Sequence, residues 1–202
     1  GRGELKLTLP PRSSLARARA WVDGQSDWIA RTTAAAPERI ALSDGATLPW
    51  GEGVLTLAHR PALPRTPRVV DGELRIGGPG EGLSRRVARW LAAEARRDFT
   101  ARCEALAALA GVAVASVAVG DPRSRWGSCS SRHALRFSWR LMLAPDWVRQ
   151  AIAAHEVAHL LHMDHSPAFR AAEQRLAGTG EPERARAWLR ANGPRLQRVD
   201  FS

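Results

Sequence analysis

Between residues 155 and 165 the chain reads His-Glu-Val-Ala-His-Leu-Leu-His-Met-Asp-His. His155 and His159 are four apart, which on a helix puts their imidazoles on one face, one turn above the other. That spacing lets both rings reach a single zinc ion at roughly 2.0–2.1 Å. Glu156 lies about 100° round the helix from His155, beside such an ion rather than on it. A carboxylate there can take a proton from water polarised by the ion, which is the arrangement of metal-dependent hydrolysis. Two buried histidines can also be satisfied by ordinary hydrogen bonds, so the surrounding elements decide.

Leu143-Ala144-Pro145-Asp146 starts a helix, with Pro145 at its first position and Asp146 favoured by the positive N-terminal dipole. Trp147, Ala151, Ala154, Ala158 and Leu161 then recur at three- and four-residue spacing as a burying stripe. Val148 and Ile152 lie in the turns before His155, on the side of the histidines. For a third ligand, His162 and His165 compete. On a continuous helix His155 and His162 would be about 10.5 Å apart along the axis, too far for easy sharing of one ion. Ser166-Pro167 turns the chain back, since Ser166 is a good N-cap and Pro167 a good first residue of a new helix. Phe169, Ala172, Leu176 and Ala177 give that helix an apolar side. His165, in the bend, is therefore the expected third ligand, with His162 a partly exposed or outlying partner. Glu173 is a weaker candidate for a carboxylate ligand.

Upstream, Ser124-Arg125-Trp126-Gly127-Ser128-Cys129-Ser130 is followed by Leu135-Arg136-Phe137-Ser138-Trp139-Arg140-Leu141 and Leu143-Ala144-Pro145. Together with the His-Glu helix, and with the Asp164-His165-Ser166-Pro167-Ala168-Phe169 run after it, these residues resemble the YgjP-like zinc metallopeptidases, bacterial relatives of the SprT-like proteases. The resemblance is strong across 112–192 and looser before that. It implies a zincin-like fold, Zn2+ held by His155, His159 and His165, Glu156 as the catalytic carboxylate, and a peptide or protein substrate. Bacterial rRNA-maturation endoribonucleases share the His-x3-His-x5-His spacing and a Leu-Leu pair, which makes a metal-dependent endoribonuclease the alternative. Their second position is usually Gly where this chain has Glu156, and they lack the Arg-Trp-Gly-Ser-Cys strand. A non-catalytic, zinc-stabilised, DNA-associated binding module is a further alternative, against which Glu156 argues, because a structural ion has no use for a neighbouring base.

The 202 residues, 45% of them apolar, suit one domain or a core with an appended region. The reading is a strand/helix region over 1–78 packed on a zincin-like core over 79–202. No apolar run reaches the length of a membrane span, and the opening residues show no secretory signal. Cys103 and Cys129, without a secretory context, are expected to be reduced, and a cytoplasmic location follows. Cys129 is disfavoured as an extra ligand, since three histidines and water already complete a catalytic site. The net charge is +10, yet Lys6 is the only lysine among 30 basic residues and tyrosine is absent. Such a bias can come from genomic base composition. Arg85, Arg86, Arg89, Arg96 and Arg97 fall on the polar side of a helix over 84–109. They read as a solvated face or as a weak nucleic-acid footprint, the latter in keeping with SprT-like proteases that act at DNA.

The remaining elements set the frame. Leu5, Leu7 and Leu9 alternate with polar residues as a strand closed by Pro10-Pro11. Leu15, Ala18, Val22, Gln25 and Ile29 mark a helix that Gly24 weakens. Residues 40–60 are strand-like around Pro49-Trp50-Gly51, and Asp71-Gly72 between Val69-Val70 and Leu74–Ile76 is a hairpin signal. Ser84 is the expected cap of the long helix, whose apolar side runs Val87, Leu91, Ala95, Phe99, Leu106 and Leu109. Strands over 112–119, 123–130 and 135–139 precede the metal helix, and a closing helix covers 181–191 with Trp188 and Leu189 packing. The expected fold is α+β, with a small, mostly antiparallel sheet against the long helix and the metal helix. In its strand, Gly127 either allows an extended substrate to approach the sheet edge or marks a bulge while Trp126 fills the core.

Overall fold

The hydrophobic patterning resolves into two units in the computed structural model, residues 1–38 and 39–202. The described backbone covers residues 7–34 and 39–201, with side chains at 7–30 and 39–201. In the smaller unit, helices α1 (Leu15–Asp23) and α2 (Ser26–Ala34) replace the single helix expected through Ile29. Ser14 caps α1 by accepting from the Arg17 N–H, and the break falls at Gly24, among the least helix-favouring residues. The strand expected over 5–9 lies partly outside the described residues, and residues 7–9 are in no strand.

The larger unit opens with β1 (Ile40–Ala41), β2 (Thr47–Trp50), β3 (Gly53–His59), β4 (Arg68–Val70) and β5 (Glu73–Ile76). Strands β2 to β5 form a sheet of order β2-β3-β5-β4. Asp71 and Gly72 both take positive φ, 51° and 77°, which is the backbone a two-residue hairpin between twisted strands requires. Helix α3 (Leu83–Ala110) follows, then β6 (Ser116–Gly120), β7 (Gly127–Cys129) and β8 (Ala134–Ser138) in the order β6-β8-β7. A 3-10 turn over Trp139–Leu143 leads into α4 (Asp146–Leu161), α5 (Pro167–Ala177), α6 (Glu181–Arg198) and β9 (Val199–Asp200), which pairs with β1.

The α+β class is borne out, but the sheet differs from the expectation. There are three small sheets among the described residues, and β1–β9, β3–β5 and β6–β8 pair in parallel. Crossovers through intervening elements make parallel pairs, and alternation along single strands carries no trace of their direction.

The core lies where α3 meets the β6-β8-β7 sheet and α4. Leu83, Val87, Leu91, Ala95, Phe99, Cys103, Leu106 and Ala107 are the buried side of α3, and Phe99 stacks on Phe137 of β8 at 4.2 Å. Leu109 is 78% exposed, because each three-residue step swings it further from the stripe, and Cys103 takes the core position instead. Both cysteines are free thiols. The helix begins one residue before Ser84, after Gly82 in the left-handed region at φ 70°. Arg102 and Arg149 join Asp98 of α3 to Asp146 at the start of α4, which fixes α4 against α3. Helix α6 runs through Pro194 to Arg198 rather than stopping at 191. A proline removes only one ladder bond, and buried Leu196 and Val199 anchor the turns beyond it. Buried Arg140 adds a staple: it donates to Asp121 Oδ1 (2.6 Å) and to the carbonyls of Leu196 (3.0 Å) and Val199 (2.9 Å).

Candidate metal centre

Helix α4 carries His155 and His159 one turn apart, as their spacing dictates, and the chain leaves the helix at His162. The bend that follows is built by local side-chain bonds. Asp164 Oδ1 accepts from the Ser166 N–H at 3.1 Å, Ser166 Oγ accepts from the Phe169 N–H at 3.3 Å, and Pro167 opens α5. These are an Asx turn and a helix cap in succession. They swing His165 back over α4. One ligand nitrogen from each of His155, His159 and His165 lies within 4.8 Å of the others. Phe169, 1% exposed, packs beneath all three rings at 4.4–5.2 Å between centroids and gives the cluster an apolar floor.

Two of the rings are aimed by partners on their far nitrogens. The His155 Nδ1–H donates to Glu173 Oε1 at 2.8 Å, and the His159 Nδ1–H to the His162 carbonyl at 3.1 Å. Both therefore turn Nε2 inward, the orientation in which metal-ligating histidines are held. Burial, more than the neighbouring histidine charges, holds the His159 pKa below its ordinary value despite the His162 bond, so that ring is neutral and able to donate a lone pair. The donor set fits a borderline-soft divalent ion such as zinc.

Glu173 is not one of the converging ligands. It sits behind His155, 3% exposed, and also accepts from Arg186 Nη1 of α6 at 2.9 Å. Burial pulls its carboxyl up, but the bond and charge of His155 together with Arg186 outweigh that and hold it below the usual carboxylate range. Sequence spacing pointed at Glu173 for its position on α5; the partner that keeps it anionic is 13 residues further on, and no local signal marks Arg186. His162 contributes its carbonyl, not its ring.

Glu156 is 4% exposed and faces β7. A Cβ on Gly127 would lie 2.4 Å from Glu156 Oε1, so the close approach at this glycine is made by the carboxylate itself, and Gly127 pairs regularly with Phe137 rather than marking a bulge. Burial pushes the Glu156 carboxyl up to about 7, against a smaller downward pull from the charges of His155 and Arg125. Strand β7 is an edge strand. Trp126 leans on Gly193 of α6, where a Cβ would come within 2.9 Å of its ring. A cavity of about 420 Å³ opens beside His155 and Glu156, between α4, Trp126 and α6.

The family model described as YgjP-like, metallopeptidase domain, matches residues 1–192. The chain belongs to this family. No curated protein and no solved structure matches it. Membership of the YgjP-like family makes the chain a metallopeptidase by class and implies a metal, and His155, His159 and His165 are the cluster among the described residues able to hold one. In the Asp164-His165-Ser166-Pro167-Ala168-Phe169 run, Asp164, Ser166 and Pro167 make the bend that presents His165. No helix of the described residues is long and apolar enough to cross a membrane.

Proposed function

We propose that the chain hydrolyses peptide bonds as a zinc-dependent metallopeptidase of zincin type, with Glu156 as general base. The observation that carries this reading is the burial of Glu156 against Gly127, one residue after a converging histidine and at the end of an open cavity. Zn2+ held by His155, His159 and His165 would supply a Lewis acid that polarises the scissile carbonyl and acidifies water. The free edge of β7 receives the substrate as an added strand. Glu156 takes the proton of the attacking water and passes it to the leaving amine, a task suited to a carboxyl whose pKa burial has moved toward neutrality. Glu173 and the His162 carbonyl keep two rings in the required tautomer.

The test is Glu156→Gln. Metal content should be unchanged and cleavage of an unfolded protein should fall by about 10²–10⁴-fold. Cleavage at the native rate would remove Glu156 from the mechanism, and RNA cleavage insensitive to the substitution would favour the endoribonuclease reading.

A further inference from the structure

The cavity beside the metal centre has walls and ends of different chemistry. Trp126, Ala151, Ile152, Pro182, Ala185 and Leu189 form its walls. Two polar groups of the lining are already engaged, Glu173 by His155 and Arg186, and Arg186 also by Glu183 at 2.7 Å, which leaves Glu156 for the reaction itself. A polar side chain lying along these apolar walls would lose water without regaining a hydrogen bond from them, which is unfavourable. At about 420 Å³ the space exceeds any single side chain, so it also admits part of the peptide backbone. Arg190 lies at the rim, exposed and with no ion-pair partner among the described residues.

We infer that this cavity is a specificity subsite that takes a bulky apolar side chain beside the scissile bond, with Arg190 meeting a carboxylate of the same peptide at the rim. The inference rests on the peptidase reading above and names the substrate class of that site. The carboxylate has two sources, an Asp or Glu side chain or the free C-terminus of the peptide, and both present the planar oxygen pair that a guanidinium grips. Gly193 sets the outer wall from behind, because any side chain there displaces the Trp126 ring.

The test uses the full chain, zinc-loaded, with peptides varied at one residue as Ala, Leu, Phe or Lys, each with and without a neighbouring Glu and with a free or amidated C-terminus. Leu and Phe peptides should exceed Ala and Lys by roughly 10- to 200-fold in kcat/KM. Ala185→Leu should erase the preference for Phe, and Leu189→Ala should raise Phe relative to Leu. Arg190→Glu should remove only the gain given by the carboxylate, and comparison of the Glu and amidated arms shows which carboxylate supplies it. Binding of the same labelled peptides to Glu156→Gln, followed by fluorescence anisotropy, should rank them in the same order without turnover. Cleavage without side-chain preference, or a preference untouched by both Ala185→Leu and Leu189→Ala in proteins of native metal content and melting behaviour, would overturn the subsite. Peptides that bind Glu156→Gln in the expected order while the native protein cleaves none would keep the subsite and reject the peptidase reading.

Discussion

The histidine centre and the arginine-rich face of α3 are both polar surfaces laid over an apolar core, and they differ in what holds their side chains. At the centre, His155 and His159 each have a partner on the nitrogen that faces away, and Glu173 has two donors. On α3, Arg85, Arg89 and Arg96 are exposed and take no ion-pair partner among the described residues. Arg97 pairs with Glu94 on the same helix, and Arg86 donates to the carbonyls of Glu81 and Pro79. Preorganisation of donors and acceptors marks a place built for chemistry, whereas charge without fixed geometry reports composition first. That difference predicts which substitutions matter.

The largest effect should come from His165→Ala, which leaves two protein ligands and should lower zinc affinity by orders of magnitude. His162→Ala should leave zinc retention after dialysis unchanged, since only the His162 carbonyl serves the site. Equal zinc retention in the two variants would refute the ligand set. Next, Glu173→Ala should weaken zinc binding roughly 10- to 100-fold, the usual cost of losing a residue that orients a ligand. Chelator competition measures it. A loss as large as that of His165→Ala would make Glu173 a ligand after all, and no loss would remove it from the site.

A smaller effect concerns pH and the metal-free protein. The folded Glu156 carboxyl titrates near 7, above its ordinary 4.5, so the folded state holds its proton more tightly than the unfolded one. That contribution to stability is complete below about 4.5 and is lost as pH rises through about 7. The melting temperature of the native chain should therefore fall relative to Glu156→Gln across that window, and parallel curves would sink the assignment. The smallest effect is expected from Arg85→Glu, Arg89→Glu and Arg96→Glu combined: zinc binding unchanged and stability altered by no more than about 0.5 kcal/mol per site. Labelled DNA should bind weakly, with a log–log salt slope no steeper than three contacts give at about −0.7 to −0.9 each. Tight, saturable binding that accelerates proteolysis would erase the contrast between the two regions.

What could be read from the chain alone was local. The four-residue spacing of His155 and His159, the cap at Ser166 with Pro167 behind it, and the turn at Asp71-Gly72 each depend on neighbours within a few residues, and each appears as expected. The task that Glu173 performs was not legible, because its two donors, His155 and Arg186, lie on two other helices. Gly127 was suspected of making room, yet its occupant, the Glu156 side chain, is 29 positions later and leaves no pattern in strand alternation. The parallel pairings of β3 with β5 and β6 with β8 were illegible for the same reason. Cys103, by contrast, is missing from the expected apolar side of α3 although its helical angle places it there.

The pairing of β1 with β9 bears on the order in which the molecule assembles. Its register joins Ile40 to Val199, and the Arg39–Asp200 ion pair spans 161 positions, among the longest loops this chain can close. His155 and Glu173 are only 18 apart. Closing a loop costs more entropy as it lengthens, so the contacts that join His155 to Glu173 and Glu173 to Arg186 of α6, 18 and 13 positions apart, cost less to close than the β1–β9 clasp. The histidine cluster and the cavity wall beside it are thus short-range constructions, and the clasp at the two ends of this unit is the long-range one.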